Sequence, residues 1–212
     1  MTLPPGLPAH AREVPLDRAY RLLNHGPTVL VGAHHAGQTN AMAAAWACAL
    51  DFMPPKLTVV LDKATRTRAL IEAGEADGHA RFTVALPCVA QASLVTALGT
   101  TSAVEVPDKM ARVQRDAGLR WRPVPGTDGL PLIEGCVAWM VCRVLPQPAV
   151  QQAHDLFLAE IEQAWADERV FHGGRWHFET ADPALRTLHH VAGGHYYAIG
   201  EPVVSPEQGT RA

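Results

Sequence analysis

The sequence predicts a mainly β chain with short helices, and three observations predict it. Runs rich in Val, Thr and Leu at residues 28–32, 57–61, 81–86 and 132–145 have strand composition. The stretches at 16–23, 69–73, 89–98 and 110–117 suit helices but are short. Strands and helices alternate without the regular spacing of βαβ units.

Residues 1–13 carry three prolines and few large apolar groups, so an extended arm outside the core is expected, of the kind that packs on a partner subunit. Residues 16–23 place Leu16, Ala19, Tyr20, Leu22 and Leu23 on an amphipathic helix stopped by Asn24-His25-Gly26-Pro27. A first strand at 28–32 and a turn at 34–37 follow. Gly37-Gln-Thr-Asn40 has strong turn character. Residues 41–47 then carry little bulk apart from Met42 and Trp46, so a flat ligand can approach the backbone closely. The chain passes Asp51 and Pro54-Pro55 into a strand at 56–61.

A polar loop, 62–68, leads into a helix at 69–73 that ends at Gly74, with Thr67 in the N-cap position. Residues 81–86 read as a strand, 89–98 as a helix closed by Gly99, 100–109 as a polar loop, and 110–117 as a helix with Gly118 as C-cap. Residues 123–131 are expected in a surface loop, and 132–145 is the longest strand candidate. The run 154–165 suits either a helix or a strand. Residues 171–200 hold aromatic and His clusters around a helical 183–191. No internal repeat is found. The organisation expected is an arm at 1–15, one domain at 16–200 and a tail at 201–212.

With 212 residues and 48% hydrophobic content, one sizeable core is within reach. A formal net charge of -3 gives no electrostatic reason to bind nucleic acid or an anionic membrane. The four cysteines have no CxxC spacing, so buried free thiols are the default. No signal peptide is recognisable and no apolar run approaches the roughly 18 residues of a membrane span, which reads as a soluble cytoplasmic protein.

Eleven histidines invite a metal reading at His34-His35, at His189-His190 with His195, and at His172 with His177, but none has a spacing typical of zinc sites; solvated or satisfied histidines are the alternative. GxSxG, a Walker loop and GxGxxG are all absent. What remains is Lys63, Thr65, Arg66, Thr67 and Arg68 just before a helix start. Free backbone N–H groups, hydroxyls and cations there suit a phosphate. A solvated loop with an ordinary Thr N-cap accounts for the same residues, as a surface pair does for Asp108-Lys109 and a core aromatic for Trp46.

Taken together, several stretches resemble the flavin reductase-like family of FMN-binding split barrels, in particular its flavoredoxin-type branch. They are Thr39-Asn-Ala-Met-Ala-Ala-Ala-Trp46, Pro54-Pro55 before a strand, Asp62-Lys-Ala-Thr-Arg-Thr-Arg68 with Leu70-Ile71, and Phe82-Thr-Val84. Gly99-Thr-Thr-Ser102, Asp108-Lys-Met110, Leu132-Ile-Glu-Gly-Cys136 and Gly193-Gly-His-Tyr-Tyr197 continue the order. The resemblance implies a six-stranded antiparallel split β-barrel with Greek-key topology, and a homodimer with FMN near the subunit interface.

Carried over by position, Thr39, Asn40, Ala41, Met42, Ala43, Ala45, Trp46 and Ala47 would face the isoalloxazine ring. Lys63, Thr65 and Thr67 would hold the phosphate, with Lys109 a further cation and Asp51 a less certain neighbour. Many relatives have Ser or Thr where Ala44 and Ala45 stand, so a hydroxyl contact to the flavin would be absent and binding would be weaker or rest on backbone groups. His195 and Tyr196 would cap the ring or serve the fold. The activity implied is an FMN-dependent oxidoreductase, with NAD(P)H or another small donor reducing the flavin and free flavin, a partner oxygenase or a redox protein accepting the electrons. A non-catalytic flavin- or ligand-binding protein on the same barrel is the alternative.

Overall fold

Strand-forming runs dominate the chain, and the computed structural model, which describes residues 7–78 and 80–203, joins eight of them in one sheet. In order, β1 (Ala11–Glu13) and α1 (Leu16–Ala19) lead to β2 (Val29–His35), β3 (Gln38–Ala44), β4 (Ala47–Phe52) and β5 (Pro55–Val60). Next come α2 (Arg66–Ala76), β6 (Arg81–Leu86), α3 (Ala92–Thr100) and α4 (Lys109–Ala117). β7 (Trp121–Pro123), β8 (Pro131–Ile133), β9 (Ala138–Leu145), α5 (Pro148–His154) and β10 (Leu156–Asp167) follow. The short hairpins β11 (Phe171–His172) with β12 (Arg175–Trp176), and β13 (Leu188–Ala192) with β14 (His195–Ala198), close the chain.

The main sheet runs β3-β2-β6-β9-β10-β5-β4, with β1 added to β10, and every pairing is antiparallel. Its two end strands, β3 and β4, are consecutive in the chain and separated only by Ala45-Trp46. The sheet therefore curls until its edges meet at that corner. Eight strands replace the six expected, and β3 and β4 are not paired with each other, so among the described residues the curl is not a closed barrel.

Alternation along the strands sends side chains to two faces. Val29, Val31, Phe82, Val84, Met140 and Phe157 fill one face with Leu70 and Ile71 of α2. Leu30, Ala41, Ala85, Trp139 and Val141 fill the other, under Leu94, Val95 and Leu98 of α3 and Val113 of α4. Each α3 or α4 side chain buried there stabilises the fold by about 1.5–3 kcal/mol.

Several expectations change. Residues 38–40 are strand, not turn, because Ala36 and Gly37 both adopt positive φ and make the two-residue hairpin by themselves. The longest strand is β10, with 12 residues. The 132–145 run is interrupted, since Gly135 at φ 83° breaks it and the amide of Gln91 donates to Glu134 O at 2.9 Å in the gap. The ambiguous 154–165 run divides at Asp155, which ends α5 at φ 56° and starts β10. Helix α3 continues through Gly99, and α2 starts three residues earlier than expected and runs beyond Gly74. Only Pro183–Leu185 of the 183–191 segment is helical, as a single 3₁₀ turn; Leu188 onward is strand, folded back at Gly193-Gly194. Of the expected arm, residues 1–6 lie outside the described residues, while β1 belongs to the sheet and Ala11 and Val14 are buried. Gly118 is the left-handed C-cap expected.

Three of the cysteines are buried, and Cys48 is exposed. Among the described residues no helix is long and apolar enough to cross a membrane.

Candidate functional site

Strand β3 is the element on which the site is built, and its position at one end of the sheet leaves one side unpaired. Its two-residue turn makes His35 and Gln38 the closing pair, and the register then pairs Ala33 with Asn40, Val31 with Met42 and Val29 with Ala44. Hydrogen-bonded pairs alternate in an antiparallel ladder, so Gln38, Asn40, Met42 and Ala44 point their peptide groups at β2, while Thr39, Ala41 and Ala43 point theirs at the open edge. Ala41 is fully buried, which leaves Ala43 and the exposed Ala45 as the accessible part.

Beside that part lies a slot of about 200 Å³. Ala43, Ala44 and Ala45 form one wall, Val95, Thr96, Gly99 and Thr100 of α3 a second, and His190, Gly194 and Tyr196 a third. Small side chains create the space. A Cβ added to Gly99 would stand 3.4 Å from that of Ala43, so helix and strand are already near contact.

At its other end β3 is tied to the first turn of α2. Asn40 Nδ2 donates to Thr67 Oγ1 at 2.9 Å, and the Arg66 guanidinium donates to Gln38 Oε1. Thr65, not Thr67, is the N-cap, accepting the Arg68 N–H at 3.4 Å. The N–H groups of Arg66 and Thr67 find no partner among the described residues, as the first turn of a helix dictates. A rise of about 3.4 Å per residue puts Asn40 and Ala44 about 14 Å apart along the strand. One strand therefore joins a helix N-terminus to a slot walled by small residues.

The individual side chains divide differently from expectation. Thr67 is 0% exposed, with its hydroxyl on Asn40. Arg68 is 1% exposed and turns inward, its guanidinium donating to Leu61 O and Gln151 O at 3.0 Å each and to Glu72 Oε1 at 2.8 Å, and pairing with Asp155. That hydrogen bond from Arg68 holds the Asp155 carboxyl below its usual range. Lys63 leans toward α5, donating to Gln152 O at 2.6 Å and standing 3.6 Å from Asp155. Lys109 is 3% exposed, and its ammonium donates to Leu98 O at 2.8 Å; burial lowers its pKa from 10.5 to about 8. Asp51 pairs with Lys56 at 2.7 Å.

Trp46 is 74% exposed, so the core-aromatic reading of it fails. Met42 and Ala47 face the core on either side of the corner, and Thr39 hydrogen-bonds His34 Nδ1 at 2.7 Å. Among the described residues no three His, Cys, Asp or Glu side chains gather to hold a metal ion. His172 and His177 stack at 3.7 Å, and His25 packs against Trp176, Phe178 and His189.

Residue-level reading missed Val95, Thr96 and Thr100 as a wall of the slot, because each is unremarkable in an amphipathic helix. His195 is exposed on the hairpin, while Tyr196 reaches the slot.

A family model described as flavin reductase like domain matches residues 21–185. Over 197 residues the chain is 39% identical to the uncharacterized protein YddH of Escherichia coli (strain K12), covering 91% of this chain and 96% of that protein. Among solved structures it is similar to an FMN-binding domain of flavin reductases-like enzyme from Shewanella baltica OS155, at 48% identity and a TM-score of 0.85 over 92% of this chain and 97% of that one. It is also similar to flavoredoxin of Desulfovibrio vulgaris (Miyazaki F), at 25% identity and a TM-score of 0.67 over 97% of each chain. With a match of this extent, the chain belongs to the flavin reductase like domain family.

Proposed function

We propose that this chain binds FMN along β3 and is a flavin-dependent oxidoreductase. The observation that carries the reading is the union of two features on one strand: the small-residue slot at Ala43–Ala45, and the α2 N-terminus bonded to Asn40 through Thr67. FMN, when bound, supplies hydride and single-electron chemistry that no side chain provides.

The residues present fit that cofactor. Ala43 and Ala45 offer peptide donors and acceptors to the edge of a flat ring, and alanine lets the ring come close to the backbone. At the other end, the N–H of Arg66 and the exposed ammonium of Lys63 offer an anion donors in a favourable helix dipole, while the Thr65 hydroxyl is committed to Asp62 O at 2.8 Å. Lys63 is held at an exposed carbonyl and by a 3.6 Å ion pair with the part-exposed Asp155, contacts weak enough for it to turn to a phosphate. Buried Lys109 donates to Leu98 O of α3, next to Gly99 in the slot wall, so its ammonium is committed to the fold rather than to a phosphate.

Trp46, Leu50, Phe52 and Met53 are all exposed on or beside the end strand β4. An apolar strip of that kind marks an interface. We assign it to a second copy of the chain, which would bring the FMN site to the edge of a homodimer. The donor is NAD(P)H or another small reductant, and the acceptor is free flavin, a partner oxygenase or a redox protein.

Steady-state oxidation of NADH and NADPH, with and without added FMN, tests the catalytic part. FMN-dependent turnover is expected. Binding of FMN with no turnover from either nucleotide at high protein concentration would leave a carrier or binding protein and sink the NAD(P)H reductase.

A further inference from the structure

The family match ends at residue 185, and the hairpin of β13 and β14 lies beyond it. That hairpin is anchored firmly at its base. Thr28 N donates to Leu188 O at 2.7 Å, His190 N donates to Thr28 Oγ1 at 2.9 Å, and Thr187, just before β13, hydrogen-bonds His25 Nε2 through its hydroxyl at 2.8 Å and bridges to Cys88. Its far end, turned at Gly193-Gly194 with both φ positive, is exposed. Tyr196 pairs in register with His190 on the anchored side of that turn, and its OH lies 3.2 Å from Thr96 Oγ1 of α3, while His189 Nδ1 hydrogen-bonds Gly26 O at 3.1 Å.

The Tyr196–Thr96 bond joins two walls of the slot beside Ala43–Ala45. His190 stands edge-on to Tyr196, with ring centroids 5.5 Å apart, so the two aromatic side chains brace each other on the same wall. No Asp, Glu, Lys or Arg lines the slot; its polar groups are the hydroxyls of Thr28, Thr96, Thr100 and Tyr196 and the imidazole of His190. A flat, uncharged ring with hydrogen-bonding atoms at its edge matches that lining, and a phosphate does not.

We infer that β13 and β14 form a latched third wall of the ring-binding slot, in which Tyr196 is a positioning residue that holds the isoalloxazine ring against β3 through its bond to Thr96. The inference rests on the FMN reading above. A ring in the slot is held on that side by the Tyr196 side chain, which turns aside when its bond to Thr96 breaks. Release of FMN is therefore slowed by that single interaction, while the fold, secured at Thr28 and Thr187, does not depend on it.

The test measures FMN dissociation rates by stopped-flow displacement for the full chain and for Tyr196→Phe, Thr96→Val, the double variant and the control Tyr197→Phe, whose ring lies outside the slot. Iodide quenching of the bound flavin and the thermal midpoint of the FMN-free protein are measured alongside. Each latch variant is expected to release FMN about 3- to 10-fold faster, the range one hydrogen bond gives. The double variant should be no faster than the singles, as a shared bond requires. Quenching should rise in the latch variants, while Tyr197→Phe and all midpoints stay unchanged. Normal FMN binding with unaltered release in both latch variants would overturn the inference and leave the FMN reading standing. Failure of the unaltered chain to bind FMN would remove both.

Discussion

The two ends of β3 answer the same question in opposite ways. At the ring end, Ala43 and Ala45 keep their peptide groups free and their side chains small, and nothing in the fold competes for them. At the anion end, the side chains that made the stretch look like a phosphate site have structural partners: Thr67 on Asn40, Arg68 on Asp155 and two carbonyls, Lys63 on Gln152. Backbone groups at the edge of a sheet or the start of a helix are left over by geometry. Cationic and hydroxyl side chains are recruited by whatever polar atom is nearest.

The first way to break that comparison is to fill the ring end. Ala43→Leu should lower FMN affinity by about 10- to 100-fold, since forcing extra methylenes into a packed gap costs about 1–3 kcal/mol. Titration of a variant shown to be folded by circular dichroism checks it, and unchanged affinity would move the ring elsewhere.

Arg68→Ala sharpens the other half. Removing the buried guanidinium should cost about 3 kcal/mol of stability, read as a lower urea midpoint, because Leu61 O, Gln151 O and Asp155 lose their shared donor. A phosphate ligand exposed to solvent would instead show little loss of stability and a large loss of FMN.

Lys109 gives a pH signature. Its folded pKa of about 8 lies below the unfolded value of 10.5, so between those limits the unfolded chain binds more protons and stability rises with pH. The gain expected from pH 8 to 10.5 is no more than about 3 kcal/mol. Lys109→Met should flatten it in denaturant melts of the FMN-free protein. A flat profile in the unaltered chain would mean that the ammonium is solvated.

The smallest effect is expected at Lys63. Lys63→Ala should weaken FMN binding no more than about 5-fold at moderate salt, because an exposed ion pair contributes about 1 kcal/mol or less. A loss of 100-fold would restore Lys63 as the principal phosphate ligand.

Legibility follows the same division. Strands β2, β5, β6 and β9 and helices α1, α3 and α4 were readable because apolar periodicity and Gly or Pro boundaries are local signals. The break at Gly135 and the change of direction at Asp155 were not, since each depends on a backbone conformation that only the assembled sheet requires. The hairpin at Gly193-Gly194 was hidden by a helix-compatible stretch, and its role emerges only where it meets α3, some hundred residues earlier in the chain. For the candidate site, the small residues of β3 were legible because Ala content is a local signal, and the structure sets them beside a slot. The choice of Thr67 as cap did not hold, because Asp62 and Thr65 already close the turn, with Asp62 accepting the N–H of Ala64 at 2.7 Å. Trp46, which composition alone places in a core, stands at the corner where the two edges of the curled sheet meet.

The most direct test of the account is an absorbance titration of the protein with FMN. A saturable shift of the flavin bands at one FMN per chain, moved to about 10- to 100-fold higher FMN in Ala43→Leu and largely kept in Lys63→Ala, is the predicted result. Flavin bands that stay unshifted at saturating FMN would contradict the account at its centre.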